Sequence, residues 1–452
     1  MPNITIIGGG LAGCEAAYQL ASRGIKVKLY EMKPLRRSPA HNTDLLAELV
    51  CSNSLRSDRL QNAVGLLKEE LRRLGSFVMG IADETRVPAG GALAVDREGF
   101  SRRITEEINT HPHIEVIHEE VENIPQGNVI IATGPLTDGK LMDEINDLTG
   151  GSLHFYDAAA PIVTFESIDM DKAFFASRYD RGNDYLNCAM DREQYFAFVH
   201  ELISAQTAPL HSFETPRVFE GCMPVEVMAK RGEMTLAFGP LKPVGIDDPH
   251  SDKKPFAIVQ LRRDDTEGRL YNIVGFQTNL KFSEQKRVFS MIPGLENACF
   301  VRYGVMHRNS FINSPGLLDI GYRLKSKPEI HFAGQLTGVE GYVESVASGY
   351  TAAISAYAAI NGKTMIDFTK KTAIGALSHY VSEYAGSDFQ PMNVTFGIMD
   401  PFDERIRKKQ ERYTAISKRS LDILGDIISK IDSFSEKNSH SEACSHSEAC
   451  SL

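Results

Sequence analysis

The sequence predicts an α/β protein of two domains, one of them split along the chain, and three observations carry that expectation. The N-terminus reads as strand, glycine turn, helix, strand; the same grammar returns after residue 320; a stretch of different character separates the two. With 452 residues, 42% of them hydrophobic, the chain is also longer than a single core usually needs.

Residues 4–7 form a short apolar run rich in β-branched side chains, 8–13 a turn, 14–22 an apolar-periodic helix and 25–30 a second strand. Residues 99–110 read as a helix and 114–118 and 129–131 as strands, after which Ala132-Thr133-Gly134-Pro135 breaks the chain. Between about 141 and 320 the pattern shifts to longer alternating segments, such as 257–261 and 271–276, set off by Pro, Gly and Asp. This predicts an inserted mixed α+β domain. A strand at 330–333, a turn at 334–341 and a small-residue helix at 343–360 then return to the first domain. The expected division is 1–140 for its first part, 141–320 for the insertion and 321–431 for its second part with a charged C-terminal helix. Residues 432–452 are expected to form a disordered tail. That tail carries a tandem Ser-His-Ser-Glu-Ala-Cys hexapeptide, and a polar repeat at a chain end reads as solvated, so His440, Cys444, His446 and Cys450 are assigned no metal.

The balance of 49 basic against 59 acidic residues argues against sequence-blind binding to nucleic acid or to an anionic membrane, while leaving room for a local basic patch. No run of about 18 apolar residues suggests a membrane span, no secretory pattern opens the chain, and a cytoplasmic protein is expected. Seven cysteines without a CxxC pair suggest neither a zinc ribbon nor a dithiol redox motif.

Gly8, Gly10 and Gly13, with Gly9, Leu11 and Ala12 between them, form G-x-G-x-x-G directly after a strand and before a helix. The first glycine permits the tight turn, the second lets backbone approach a pyrophosphate and the third lets helix pack on strand, aiming the helix N-terminus at the phosphates. Glu31, at the end of the second strand, is placed to accept hydrogen bonds from ribose hydroxyls. Two further segments, Ala132-Thr133-Gly134 and His331-Phe332-Ala333-Gly334-Gln335, resemble secondary flavin-contact motifs of flavoproteins with two dinucleotide folds. FAD is therefore the expected cofactor, in a Rossmann-like, discontinuous, glutathione-reductase-like domain.

Cys51 follows an apolar stretch and precedes Ser52, Asn53 and Ser54, where a helix N-terminus near Arg56 would lower its pKa. Cys222 lies between Gly221 and a proline-bearing turn. Taken alone, each cysteine reads more readily as a core residue than as a catalyst.

Around these residues the chain resembles the folate- and FAD-dependent tRNA (uracil-5-)-methyltransferases, the TrmFO family, from residue 4 to about 428. The resemblance is carried by residues 48–57, 221–232, 239–245, 291–297, 302–315 and 334–348, and by Gly275-Phe276-Gln277-Thr278 and Pro391-Met392-Asn393-Val394. It implies methylation at C5 of the T-loop uridine at position 54 of tRNA. Carbon would come from 5,10-methylenetetrahydrofolate and electrons from NADPH or NADH through FAD. Addition of a thiolate to uracil C6 turns a poor carbon nucleophile into an enolate that attacks from C5. The resemblance favours Cys222 as that thiolate, with Cys51 assisting proton transfer or protecting the thiol and flavin, although the two roles could be exchanged. Reduced flavin could deliver a hydride or carry the carbon itself. The base would have to leave its stack to meet folate and flavin in one crevice.

The resemblance also brings Glu340 close to flavin and folate, and makes Arg302, His307 and Arg308 candidates for substrate binding. Phe282 stands where the family usually carries tryptophan; a phenyl ring still stacks, with less area. For RNA, Arg405, Arg407, Lys408, Lys409, Arg412, Lys418 and Arg419 are expected to crowd a C-terminal helix, and Lys281, Lys286 and Arg287 to join Arg302 and Arg308. Without the resemblance, the helix reads equally well as a solvated charged face. The expected partners are the tRNA T-arm and folate, with no membrane and no stable protein partner. The same chemistry on a ribosomal RNA uridine, a relative of the longer wobble-uridine flavoproteins, and an RNA chaperone retaining FAD for structure are the other readings.

Overall fold

The computed structural model describes residues 3–179, 181–208, 223–402 and 406–445. Five strands form a parallel sheet in the order Ile330–Phe332, Val129–Ile131, Asn3–Ile7, Lys26–Glu31 and Ile114–His118. The strand latest in sequence thus pairs beside Val129–Ile131, so Val129 and Ile330, 201 positions apart, are neighbours in one sheet. Fully buried Ile6, Leu29, Val129, Ile130, Ile131 and Phe332 give the near-continuous apolar strands that a sheet covered on both faces requires. Helices Leu11–Ala21 and Tyr342–Ile360 cross at very close range: a Cβ on Gly349 would lie 2.3 Å from the Ala12 carbonyl oxygen.

The chain leaves and re-enters this domain through one antiparallel ribbon, Ser152–Ala158 paired with Met306–Ile312 from Ser152↔Ile312 to Ala158↔Met306. Beyond it lies a six-stranded antiparallel sheet in the order Ala173–Ala176, Tyr185–Met190, Ala257–Arg263, Leu270–Ile273, Ile162–Thr164, Phe300–Arg302. Helices Arg192–Ser204 and Phe282–Phe289 pack on one face over a separate core around Tyr195, Phe198, Phe276 and Phe289. The fold is therefore the expected Rossmann-like domain interrupted by a mixed α+β insertion.

Two elements differ from expectation. The strand expected at 271–276 stops at Ile273, because the chain turns at Gly275, φ +81°, and Phe276 N–H returns to Ile273 O. The last helix runs Lys409–Ser445, past the boundary at which a disordered tail was expected to begin. Ile431 is buried, Phe434 stacks on Tyr357 with ring centroids 6.4 Å apart, and Lys363 Nζ bonds the Phe434 carbonyl, which carries the helix beyond Asp432. His446 and Cys450 of the hexapeptide repeat lie outside the described residues. Among the described residues no helix is long and apolar enough to cross a membrane, and no cluster of His, Cys, Asp and Glu has the makings of a metal site.

Candidate active site

The glycine turn is built by exclusion. Gly8 has φ +102°, and a Cβ there would stand 2.6 Å from Ala132 O; at Gly9 it would meet Leu46 at 2.6 Å, and at Gly13 it would lie 1.9 Å from Gly8 O. At Gly10, in contrast, a Cβ would meet nothing within 4 Å, because the space before it is open cleft. The turn thus allows backbone to close on itself and leaves room only where a pyrophosphate would approach the helix N-terminus. Gly8, Gly9, Gly10, Leu11, Ala12, Glu31, Ala132, Thr133, Gly134, Gly334 and Gln335, far apart in sequence, all line this one cleft. Gly13 instead sets the helix-to-strand distance. The donor set and the open cradle fit FAD.

Glu31 is oriented before any ribose arrives: its carboxylate accepts Gly9 N–H at 2.9 Å and Lys33 N–H at 3.0 Å, leaving further lone pairs toward the cleft. Gly334, φ +78°, gives its N–H to Ser348 Oγ at 2.7 Å, and Gln335 Nε2 donates to both Glu340 oxygens at 2.9 Å. Glu340 is thereby tied to the cleft wall.

Cys51 is not at a helix N-terminus. Ser52 and Ser54 spend their hydroxyls on local turns, accepting Ser54 N–H at 3.1 Å and Arg56 N–H at 3.0 Å, and the chain enters the Ser54–Ser57 strand. Long side chains from four elements hold this segment instead. Tyr342 Oη accepts the N–H of Cys51 at 2.7 Å and of Ser52 at 3.3 Å. Arg97 donates to the carbonyls of Leu49 and, at 3.5 Å, Cys51, while Arg302 donates to Val50 O. Arg262 reaches Ser52 Oγ at 2.6 Å and Asn53 Oδ1 at 3.0 Å. The Cys51 thiol itself points to Ala158 O at 3.6 Å.

Three guanidinium groups so gathered repel one another. Burial and neighbouring Arg97 hold Arg302 below its ordinary pKa, and burial does the same to Arg262. Burial also opposes the charge on Arg97, but Asp264, in a two-pronged pair at 2.8 and 2.9 Å, outweighs it and lifts Arg97 above its usual value. Tyr342 is pushed well up by burial, so its phenol stays neutral and acts as an acceptor for backbone N–H groups. A thiolate at Cys51 would face this positive field.

The remaining predicted residues are distributed as follows. His307 is pulled down to about 4 by burial, with Arg302 and His41 adding repulsion, and its Nε2 has no hydrogen-bond partner among the described residues. Arg308, its neighbour, is exposed. Phe282, 54% exposed, stacks on Tyr303 at 4.8 Å, and Tyr303 on Phe300 at 5.3 Å, so the ring leans on the strand carrying Arg302. Arg302 itself is turned inward to backbone rather than presented to RNA. Arg287 is paired with Glu201 and Glu284, and Lys281 bonds Gln206.

Lys408 precedes the C-terminal helix with its Nζ 2.8 Å from Glu411, Lys409 opens the helix over the Tyr413 ring, and neither lines the cleft. Arg407 also precedes the helix, Arg405 lies outside the described residues, and Arg419 faces the Phe402 ring and binds the Pro401 and Asp400 carbonyls. Of the expected crowd of cations, Arg407, Lys408 and Lys409 at the start of the helix and Lys418 further along it remain exposed among the described residues. Cys222 and Gly221 also lie outside the described residues. Sequence reasoning missed Arg97, Arg262, Asp264 and Tyr342. Of these only Tyr342 carried a local signal, following the glycine-rich turn directly.

Comparison with known proteins matches this arrangement. The family described as glucose inhibited division protein A (GidA) matches residues 3–364. The methylenetetrahydrofolate–tRNA-(uracil-5-)-methyltransferase TrmFO of Acetivibrio thermocellus is 62% identical over 430 residues, spanning 94% of this chain and 99% of that protein. The enzyme of the same name from Enterococcus faecalis is 56% identical over 431 residues, 95% of this chain and 99% of that one. The crystal structure of Aquifex aeolicus GidA superposes with a TM-score of 0.67 at 15% identity, covering 96% of this chain and 76% of that one, a likeness of fold. The chain belongs to the GidA family and, within it, to the TrmFO methyltransferases.

Proposed function

We propose that this protein methylates C5 of the T-loop uridine at position 54 of tRNA, taking carbon from 5,10-methylenetetrahydrofolate and electrons from NADPH or NADH through FAD, in the cytoplasm. The observation that carries the reading is 62% identity along 94% of the chain to a methylenetetrahydrofolate–tRNA-(uracil-5-)-methyltransferase. The cleft supports it, since Tyr342, which lines the dinucleotide site, also holds the backbone of Cys51. Residues 1–140 and 321–431 are assigned to the FAD domain and 141–320 to the substrate domain.

When bound, FAD supplies the two-electron reduction that converts a one-carbon unit at the oxidation level of methylene into methyl. The chain's own residues supply the rest. Cys222 adds through sulfur to uracil C6, and the electron pair moves to make C5 nucleophilic; departure of sulfur later restores the ring. The residues after Cys222 are firmly placed: Val225 N–H bonds Gln277 O at 2.7 Å, and buried Glu226 accepts Thr278 Oγ1 and Asn279 N–H, each at 2.8 Å. Cys51, in the field of Arg97, Arg262 and Arg302, takes the proton that leaves C5. Arg407, Lys408, Lys409, Lys418 and Arg308 meet the phosphates of the T-arm, while Phe282 and His307 face folate.

The test uses a tRNA transcript with labelled methylenetetrahydrofolate and compares wild type, Cys222→Ala and Cys51→Ala. Label is expected in tRNA with wild type and in neither variant. Full activity in Cys222→Ala would remove the assigned nucleophile, and label in ribosomal RNA but not in tRNA would move the same chemistry to another substrate.

A further inference from the structure

The inserted sheet carries a hydrogen-bonded track that runs away from the Cys51 segment. Arg262, on the Ala257–Arg263 strand, holds Ser52 and Asn53. Two residues earlier and on the same face, about 7 Å along the strand, Gln260 donates to Asn187 Oδ1 at 3.0 Å and accepts from Arg178 Nε at 3.1 Å. Arg178 Nη1 in turn donates to the carbonyls of Lys242 and Val244, each at 2.8 Å. Next to it, Tyr179 N–H meets Gly245 O at 2.8 Å.

The track ends in exposed apolar surface beside cations. Tyr179 is 59% and Val244 55% exposed, and Phe238, which closes the Thr235–Phe238 helix just before this loop, is 81% exposed. Tyr179 also has φ +62°, a left-handed backbone that costs an aromatic residue free energy. A Cβ on Gly245 would fall 2.9 Å from the tyrosine ring, so glycine there makes room for it. A strained, exposed ring fixed by an arginine and a glycine contributes little to the core. The Arg181 guanidinium stands 5.7 Å over the ring, Lys242 is exposed, and Asp184, an acid of the same hairpin, is turned to the Gly90 N–H at 2.7 Å.

We propose that this surface holds unpaired nucleotides flanking the target uridine, with a base stacked on Tyr179 and phosphates beside Arg181 and Lys242. The proposal rests on the reading of the substrate as tRNA. A base reaches a buried site only when it is unstacked from its neighbours, and something must hold those neighbours. Aromatic rings next to cations do so with little regard to sequence. Arg262, at Cys51, and Gln260, which leads to this patch, share one face of the Ala257–Arg263 strand, and that places the surface on the approach of that RNA.

The test measures steady-state methylation of a tRNA transcript by the full-length, flavin-loaded enzyme. Tyr179→Gly is expected to raise KM for tRNA about tenfold or more, with kcat and flavin content unchanged. Its Tm should change little, because relief of the left-handed backbone offsets the entropy that glycine adds to the unfolded chain. Tyr179→Phe should behave as wild type. Arg181→Gln and Lys242→Gln should each reduce the slope of log KM against log salt by about one. An unchanged KM in Tyr179→Gly overturns the proposal and gives the patch to another partner. A wild-type enzyme that transfers no carbon to tRNA would instead remove the substrate reading beneath it.

Discussion

Gly13 decides how closely the Leu11–Ala21 helix approaches the first strand, since a Cβ there would lie 1.9 Å from Gly8 O. Gly13→Ala must therefore displace the helix N-terminus from the phosphate position. The purified variant should be colourless or nearly so, which its visible absorbance will show. Arg97 is the second decisive residue. Arg97→Met leaves the Asp264 carboxylate, whose side chain is only 2% exposed, without its partner. This should cost about 3–5 kcal/mol in urea unfolding and should slow alkylation of Cys51 in a Cys222→Ser background; an alkylation rate equal to that of the unsubstituted background would exclude a role for Arg97 at this thiol. The glycines were legible in the sequence because their chemistry is local, three positions within six residues. Arg97 and Tyr342 were not, because Arg97 meets Asp264 across 167 positions and Tyr342 meets Cys51 across 291. The same distance explains the misreading of Ser52-Asn53-Ser54 as a helix cap: these residue types suit a turn as well as a cap, and only the arginines arriving from elsewhere decide between them.

The C-terminal helix shows how an element can be correctly anticipated in type and wrongly read in extent and orientation. Its alternation of charged and apolar residues predicted a helix, but the number of cations on its outer face depended on Phe402, Tyr413 and the Asp400, Pro401 and Ile406 carbonyls, which draw Arg419 and Arg412 out of the crowd. Its inner face buries Leu424 and Ile427, and Leu424→Ala should cost about 2–5 kcal/mol by denaturant unfolding. The helix is also linked to the Ala63–Arg73 helix through Glu70, which is fully buried, receives the Ala373 and Ile374 N–H groups at 2.7 and 2.8 Å, and bonds Ser420. Burial pushes Glu70 up to about 7 from an ordinary 4.5, against the lowering by these hydrogen bonds. A carboxyl raised in the folded state stabilises the fold fully below its unfolded value, and that contribution is lost as pH rises through the folded value. Stability should therefore fall from Glu70 between about pH 4.5 and 7, and Glu70→Gln should flatten this part of the curve; an unaltered slope in the variant would show that Glu70 stays ionised.

At the scale of the molecule, an acidic chain has to bind a polyanion, so its affinity depends on local cations working against a net charge of -10. Raising salt from about 50 to 200 mM should increase KM for tRNA steeply while leaving flavin content unchanged, and a salt-independent KM would argue that phosphate contacts contribute little. The two-domain plan was legible because strand grammar broke off near residue 141 and resumed near 330; the contact between the domains was not, since nothing in either half announces the other. Part of that contact gathers around Cys51, where Arg97 and Tyr342 from one domain and Arg262 and Arg302 from the other hold the Leu49–Asn53 segment. The two domains are consequently not interchangeable modules. A chimera that takes residues 141–320 from a distant flavoprotein of similar shape could fold and still bind FAD, yet would leave its cysteine loop slack. Evolution of a new substrate on this scaffold has to proceed by changing the insertion around Arg262 and Arg302, with those two arginines retained as fixed points of inheritance.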